Sequence, residues 1–400
     1  MTSLRYGPRT PRKIAGAIKR NIQHRIIRWK RRKAKPPDSA INLPPLPNAA
    51  VVLGIGPANF AGQGWAWKVA VEKYLEDVVA EVFAVSGNAL EFPADRVIEP
   101  WWYGSRYWQT TQQDRVLNDY THVLAEAVRP VFGLRYGDTL AADLPLLRKV
   151  GKPVAILLHG SEIRRPDKHA DRYPHSPFGV EHDEFDRVLR NQAVRLGRIV
   201  QGFLADGVGP VFVSTPDLLD DVPGATWLPV VVDQVVWHSE HLPMERARPI
   251  VVHVPSRAKM KGSDQIDPQV QALADRGLIE YRRLEGVEPH EMPALIADAD
   301  IVLDQFALGS YGVSAVQAMA AGRVTVGHVV EHVRDRVGVS LPIVEANPLT
   351  IGEVLEQLVL DRELALTYAR DGIAFAAQVH NGRRSAEILA PFLGCQLRVP

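Results

Sequence analysis

Residues 300–327 read DIVLDQFALGSYGVSAVQAMAAGRVTVG: a short apolar run, a loop bracketed by glycines, a helical pattern and a second apolar run. Runs as brief as DIVLD and RVTVG, with no polar alternation, suit parallel strands covered on both faces. A helix from about Gly312, with Val313, Val316 and Ala320 inward, supplies the crossover of a βαβ unit. At its start the backbone N–H groups of Ser310, Tyr311 and Gly312 form a cradle suited to phosphate. Gln317 lies one face round from the packing residues, where its amide can meet a ribose hydroxyl.

The same alternation runs through most of the chain. AAVVLGI (49–55), AEVFAV (80–85), KPVAILL (152–158) and PVFVS (210–214) read as strands of a first half. PIVVHV (249–254), LIEYRRL (278–284), DIVLD and RVTVG form a second set. A helix beginning near Gly64, with Ala66, Val69, Ala70 and Tyr74 on one face, follows the first strand. The fold class is therefore α/β: two Rossmann-like doubly wound domains facing across a cleft, with a basic helical extension at the N-terminus. Expected limits are a leader over 1–37, a Pro-rich linker over 38–48, a first domain over 49–240 and a second over 241–375. Residues 376–400 are expected to form a helix running back to the first domain, and TWLPVVV leads into the junction, within 232–248.

With 400 residues, 46% hydrophobic and 23% charged, the chain has material for two ordinary globular domains. Cys395 is its single cysteine, which excludes an internal disulfide and a Cys-based zinc site and favours a reducing compartment such as the cytoplasm. No apolar run is long enough to span a bilayer, and no apolar stretch of the secretory type follows the N-terminal charges. The net charge of +1 conceals an asymmetry, because residues 1–37 hold 13 of the 47 Lys and Arg and no Asp or Glu. Within residues 12–33, Ile14, Ile18, Ile22, Ile26 and Trp29 share one helical stripe, with Lys and Arg round most of the remainder. Such a helix fits an anionic membrane surface, which would place the protein peripherally on the inner face of the membrane. The acidic body argues against specific nucleic-acid binding.

In open parallel sheets ligands bind beyond the carboxyl ends of the strands. After the first strand, GIGPANFAGQGWAW (54–67) offers Gly62 and Gly64 for close backbone approach to a donor, with Asn59 on the acceptor side. Asn59 stands where a dinucleotide fingerprint needs its third glycine, so a nicotinamide site is disfavoured. HGSEIR (159–164) places His159 at a strand mouth to bond a ligand oxygen, with Glu162 and Arg164 following. HVPSRAKMKGSD (253–264) gathers Arg257, Lys259 and Lys261 before Gly262, the charge that a departing diphosphate needs. Trp101, Trp102, Tyr103 and Trp108 read as a packing cluster with some capacity to stack on sugars. His175, His182 and Asp183 match no standard metal spacing, and no metal is expected.

Lys261-Gly262, the G-S-Y-G turn and Gln317-Ala318-Met319-Ala320-Ala321-Gly322, taken in order, resemble the second domain of GT-B glycosyltransferases of the retaining group 1, family 4-like type. P-A-N-F-A-G-Q and H-G-S-E are similar to that group's first-domain loops, and the resemblance covers roughly residues 49–380. It implies transfer of a hexosyl-type sugar from a nucleotide-diphosphate donor to a glycan or other acceptor, with retention and without a metal or other cofactor; the expectation of a lipid-linked or cell-envelope acceptor comes from the basic leader. It also implies that Lys261, with Arg257 or Lys259, stabilises the leaving diphosphate and that His159 positions sugar or acceptor. The group carries two glutamates eight positions apart, and here Gly309 and Gln317 replace them, with Asp304 and Gln305 close enough to substitute. A catalytically impaired relative that binds glycan or nucleotide as a scaffold is the alternative.

Overall fold

A computed structural model describes residue 27 and residues 29–87, 92–179 and 183–398. The first sheet has seven parallel strands: β1 (Val51–Gly56), β2 (Val78–Val85), β3 (Arg96–Ile98), β4 (His122–Glu126), β5 (Val154–Leu158), β6 (Val211–Val213) and β7 (Thr226–Trp227). Their spatial order is β3-β2-β1-β4-β5-β6-β7. The second sheet has five: β8 (Ile250–His253), β9 (Glu280–Arg283), β10 (Ile301–Leu303), β11 (Val324–Gly327) and β12 (Val344–Glu345), in the order β12-β11-β10-β8-β9. Every pairing between these strands is parallel, so each unit is doubly wound as the apolar runs implied.

Strand order reverses once in each sheet, between β1 and β4 and between β8 and β10. The crevice beyond such a switch point is where open α/β sheets hold ligands, because the loops on its two sides leave in opposite directions. Register sets what meets there. Gly56 pairs with Ala125 and Glu126 with Leu157, so the ends of β1, β4 and β5 are level. Leu303 pairs with His253, which levels the residues after β8 and β10.

The helix Gln63–Tyr74 buries Trp67, Ala70 and Val71 against the first sheet, whereas Val69 is exposed, so its inward face is turned from the one expected. The indole Nε1–H of Trp67 donates to the Pro229 carbonyl over 2.9 Å, which places the heavy ring where Ala66 was expected to pack. The expected C-terminal helical stretch is two helices, Arg362–Val379 and Arg383–Leu393. Ala386, Leu389 and Leu393 of the last helix pack in one apolar cluster with Leu53, Ile55 and Trp67 of the first unit. Between the helices His380 is fully buried; its ring joins the Val230 carbonyl at 2.7 Å and the Tyr311 hydroxyl at 3.3 Å. One imidazole thus fastens the crossing chain, the returning helix and the turn before residue 312.

Among the described residues no helix is long and apolar enough to cross a membrane. The stripe Ile14, Ile18, Ile22 and Ile26 lies outside them, as does most of the leader. Trp29 is exposed, and Arg31 lies 5.4 Å above the Trp101 ring. His182 also falls outside the described residues, and no group of metal-ligating side chains occurs among those described. Trp108 is fully buried against Tyr103, in keeping with a packing role for that aromatic cluster.

Candidate active site

At the second switch point the Lys261 ammonium lies 2.5 Å from Asp304 Oδ1, and the Gly312 N–H donates to Asp304 Oδ2 over 2.9 Å. Each group reaches this spot for a local reason. Lys261 ends the one-turn helix Ala258–Lys261 after β8, closed by Gly262 at φ +73°. A side chain at Gly262 would meet the backbone N of Ala307 at 3.2 Å, so glycine serves both the turn and the close approach of the neighbouring loop. Asp304 leaves β10 directly, and Gly312 is the N-cap of the helix Val313–Ala320. The Lys261 carbonyl accepts from Phe306 N over 2.9 Å, locking the two loops together. Lys261 and the turn at Gly312 therefore meet, with Asp304 between them.

The side chains around that turn are mostly buried, whereas the Ser310 and Tyr311 N–H groups make no hydrogen bond among the described residues. Ser310 and Tyr311 are buried, and the Gln305 amide donates to the Ser310 carbonyl over 2.6 Å, bracing the loop rather than facing a ligand. Tyr311 points into the core toward His380, where burial drives its phenol far above the ordinary range. Gly309 has φ +66°, and a side chain there would come within 3.0 Å of Val330 and 3.3 Å of Tyr173. The position of the group's first glutamate is thus closed by Tyr173 of the first unit, and only glycine fits. Gln317 is half-buried on its helix.

Lys259 reaches across to the first unit, where it pairs with Asp183 and, at 3.2 Å, with Asp186. It acts as an interdomain tie rather than a phosphate ligand in this arrangement. Arg257 is exposed and has no side-chain partner among the described residues. His169 adds a second tie, with Nε2 3.3 Å from the Leu308 carbonyl and Nδ1 2.8 Å from the Ser176 hydroxyl. Burial, reinforced by Arg164, lowers the His169 pKa to about 4, so the ring is neutral and Nε2–H donates to Leu308.

The first switch point is organised by a residue that sequence reasoning passed over. Glu126, at the end of β4, is wholly buried; its Oε2 accepts from the N–H groups of Ala58 and Asn59 at 2.9 and 2.7 Å. Its Oε1 lies 3.1 Å from His159 Nε2. One carboxylate thus ties the mouths of β1, β4 and β5 together. With Nε2–H given to Glu126, the imidazole presents Nδ1 as an acceptor, and Nδ1 has no partner among the described residues. The His159 ring also packs edge-on to Phe60 at 5.1 Å. Immediately after Glu126, Ala127 and Val128 adopt φ of +54° and +56°, a conformation that costs on the order of 1–3 kcal/mol for each such residue. Val128 is β-branched, which makes it a marked outlier. The strain is held by bonds from Ala127 N to Leu157 O (2.7 Å) and from Leu140 N to Val128 O (2.9 Å).

The remaining first-domain candidates, Gly62 and Gly64 on the donor side and Asn59, Glu162 and Arg164 on the acceptor side, are engaged in structural contacts. Asn59 sits at φ +46°; it donates to the Pro93 carbonyl over 2.8 Å and caps Trp65 N over 3.1 Å. Gly62 faces Phe92 and Gly64 lies against Asn59, so the close approach expected at these glycines is made by the protein's own side chains. Glu162 folds back to accept from the N–H groups of His159 and Gly160. Arg164 forms a buried ion pair with Asp217. The structure therefore yields two clusters, Lys261–Asp304–Gly312 and Glu126–His159, and no hydrogen bond joins them among the described residues.

No family model and no curated sequence matches the chain. Solved structures do. Sucrose-phosphate synthase of Thermosynechococcus elongatus superposes with a TM-score of 0.54 at 13% identity, covering 85% of this chain and 97% of that one. A glycosyltransferase of Rickettsia africae gives 0.54 at 10% identity over 87% and 99%. The Anabaena protein HepE, in complex with UDP-glucose, gives 0.52 at 13% identity over 86% and 99%. The chain thus shares the two-domain GT-B fold of these structures.

Proposed function

We propose that the protein transfers a glycosyl group from a nucleoside-diphosphate sugar to an acceptor hydroxyl. The observation that carries this reading is the convergence of Lys261 and the Gly312 N–H at the β8/β10 switch point. A cation and a helix-start amide aimed at one spot stabilise the charge that develops as a diphosphate departs. In the step, the anomeric C–O bond breaks with its electron pair passing to the diphosphate. A new C–O bond forms to the acceptor oxygen, whose proton passes to the departing diphosphate. His159, set by Glu126, offers Nδ1 to a sugar or acceptor hydroxyl from the facing unit. Residues 49–240 serve as the acceptor domain and 241–375 as the donor domain. Half-buried Gln317 is assigned to the ribose, and exposed Arg257 to the outer phosphate.

The finer reading is a hexosyl donor, retention of configuration, no metal, and a cell-envelope glycan or lipid-linked acceptor reached from the cytoplasmic membrane face. It rests on the resemblance of the Lys261-Gly262 and Gln317–Gly322 motifs and on the basic leader. Calorimetric titration with a panel of nucleoside-diphosphate sugars tests the core reading: saturable binding of at least one donor that is lost in Lys261→Ala is expected. A second reading, a GT-B relative that binds without turnover, is favoured by one observation, the closure of Gly309 on Tyr173. Donor binding without sugar release or transfer to any acceptor would single it out.

A further inference from the structure

We propose that Asp304 is a resident counter-anion, occupying the place of the donor diphosphate until the donor displaces it. The inference rests on the reading of Lys261 and Gly312 as the diphosphate site and adds how that site is controlled. Its two oxygens take up the two donors that a phosphate needs: Oδ1 the Lys261 ammonium at 2.5 Å, Oδ2 the Gly312 N–H at 2.9 Å. Asp304 is 3% exposed, so it is a built element of the site and not a surface acid lying nearby. Its own N–H is committed to the Val326 carbonyl at 3.0 Å, which keeps the main chain in the sheet while the side chain turns. The pair lies directly against the backbone of residue 312: a side chain there would stand 3.4 Å from Lys261 Nζ and 3.7 Å from Asp304 Oδ1.

The consequence is a charge threshold. A single internal carboxylate already satisfies Lys261, so a monoanion gains little by replacing it, whereas a diphosphate brings more charge and more acceptor oxygens.

The test is calorimetric titration of inorganic pyrophosphate and UDP into the full chain and two variants. Asp304→Asn keeps an acceptor for the Gly312 N–H and removes the charge. Asp304→Ser is the substitute where the first variant does not retain the wild-type melting profile. Loss of the competing charge-assisted bond should tighten binding at least about tenfold, and Lys261→Ala added to Asp304→Asn should erase the gain. Binding by the variant alone also supports the proposal. Wild-type binding with variants that bind equally or more weakly overturns it while leaving the diphosphate site intact. Binding by none of them removes that site and the inference with it.

Discussion

Lys261 and Asp304 stand at the mouths of neighbouring strands, β8 and β10, and form an ion pair of 2.5 Å whose two side chains are 12% and 2% exposed. The pair exists because Leu303 and His253 are in register, which brings the loops after them to one level. An ammonium placed there for chemistry is also a structural partner, and that dual role sets the first prediction.

Lys261→Ala should abolish donor binding and also destabilise the protein by about 3 kcal/mol, because it strands a buried carboxylate. Adding Asp304→Asn should recover most of the stability and none of the activity. Denaturant unfolding of the two variants checks this; a single variant as stable as the parent would show the pair to be open to solvent.

Glu126→Gln should lower turnover by roughly ten- to a hundredfold with a modest stability loss, since an amide keeps an acceptor for Ala58 and Asn59 but cannot hold Nε2–H of His159. A change of His159 tautomer in the ring 15N spectrum is the signature to look for. Glu126→Ala, which leaves two buried N–H groups unpaired, should cost about 2–4 kcal/mol.

Gly309→Glu restores the residue type of the resembled motif, yet it should destabilise and bring no activity. Backbone at φ +66° and the nearness of Val330 and Tyr173 leave no room for a side chain. Gly309→Ala alone should cost about 1–2 kcal/mol in chemical denaturation. Improved donor affinity in Gly309→Glu would show that Tyr173 yields.

Burial lowers the pKa of both His169 and His380 to about 4. Each is depressed below the unfolded value, so the unfolded chain binds more protons between pH 4 and 6.5, and stability falls as pH drops through that window. Asp143 has the opposite sign. Burial raises its pKa to about 7, so its contribution is present at low pH and lost as pH rises toward 7. Urea midpoints at pH 7.5, 5.5 and 4.5 should fall with acid, and His380→Gln should flatten the fall. Asp143→Asn, which keeps an acceptor for Val131 and Phe132 N–H, should steepen it.

The strands β3 and β12, of three and two residues, are too short to show a pattern. Lys261, Gly262 and Gly312 followed from strand mouths, and most other strands of both sheets were legible as short apolar runs. The strand β4 was not. HVLAE lies in a stretch, RVLNDYTHVLAEAVRP, whose polar and apolar residues do not mark a strand, and its neighbour, a π-turn over Arg115–Asp119, breaks the local period. Missing β4 meant missing Glu126. The roles of Asn59, Glu162 and Lys259 were also out of reach, because the partners that absorb them (Pro93 with Trp65, the amides of residues 159 and 160, Asp183 with Asp186) are set by tertiary placement. Backbone sign is equally invisible: nothing in the letters Ala127-Val128 announces two consecutive left-handed residues.

The most direct measurement is a crystal structure of the full chain soaked with a nucleoside-diphosphate sugar that calorimetry has shown to bind. Phosphate oxygens should bond to Lys261 Nζ and to the Gly312 N–H, with the Asp304 carboxylate turned away from both. A nucleotide bound elsewhere, with the Lys261–Asp304 pair undisturbed, would contradict this placement.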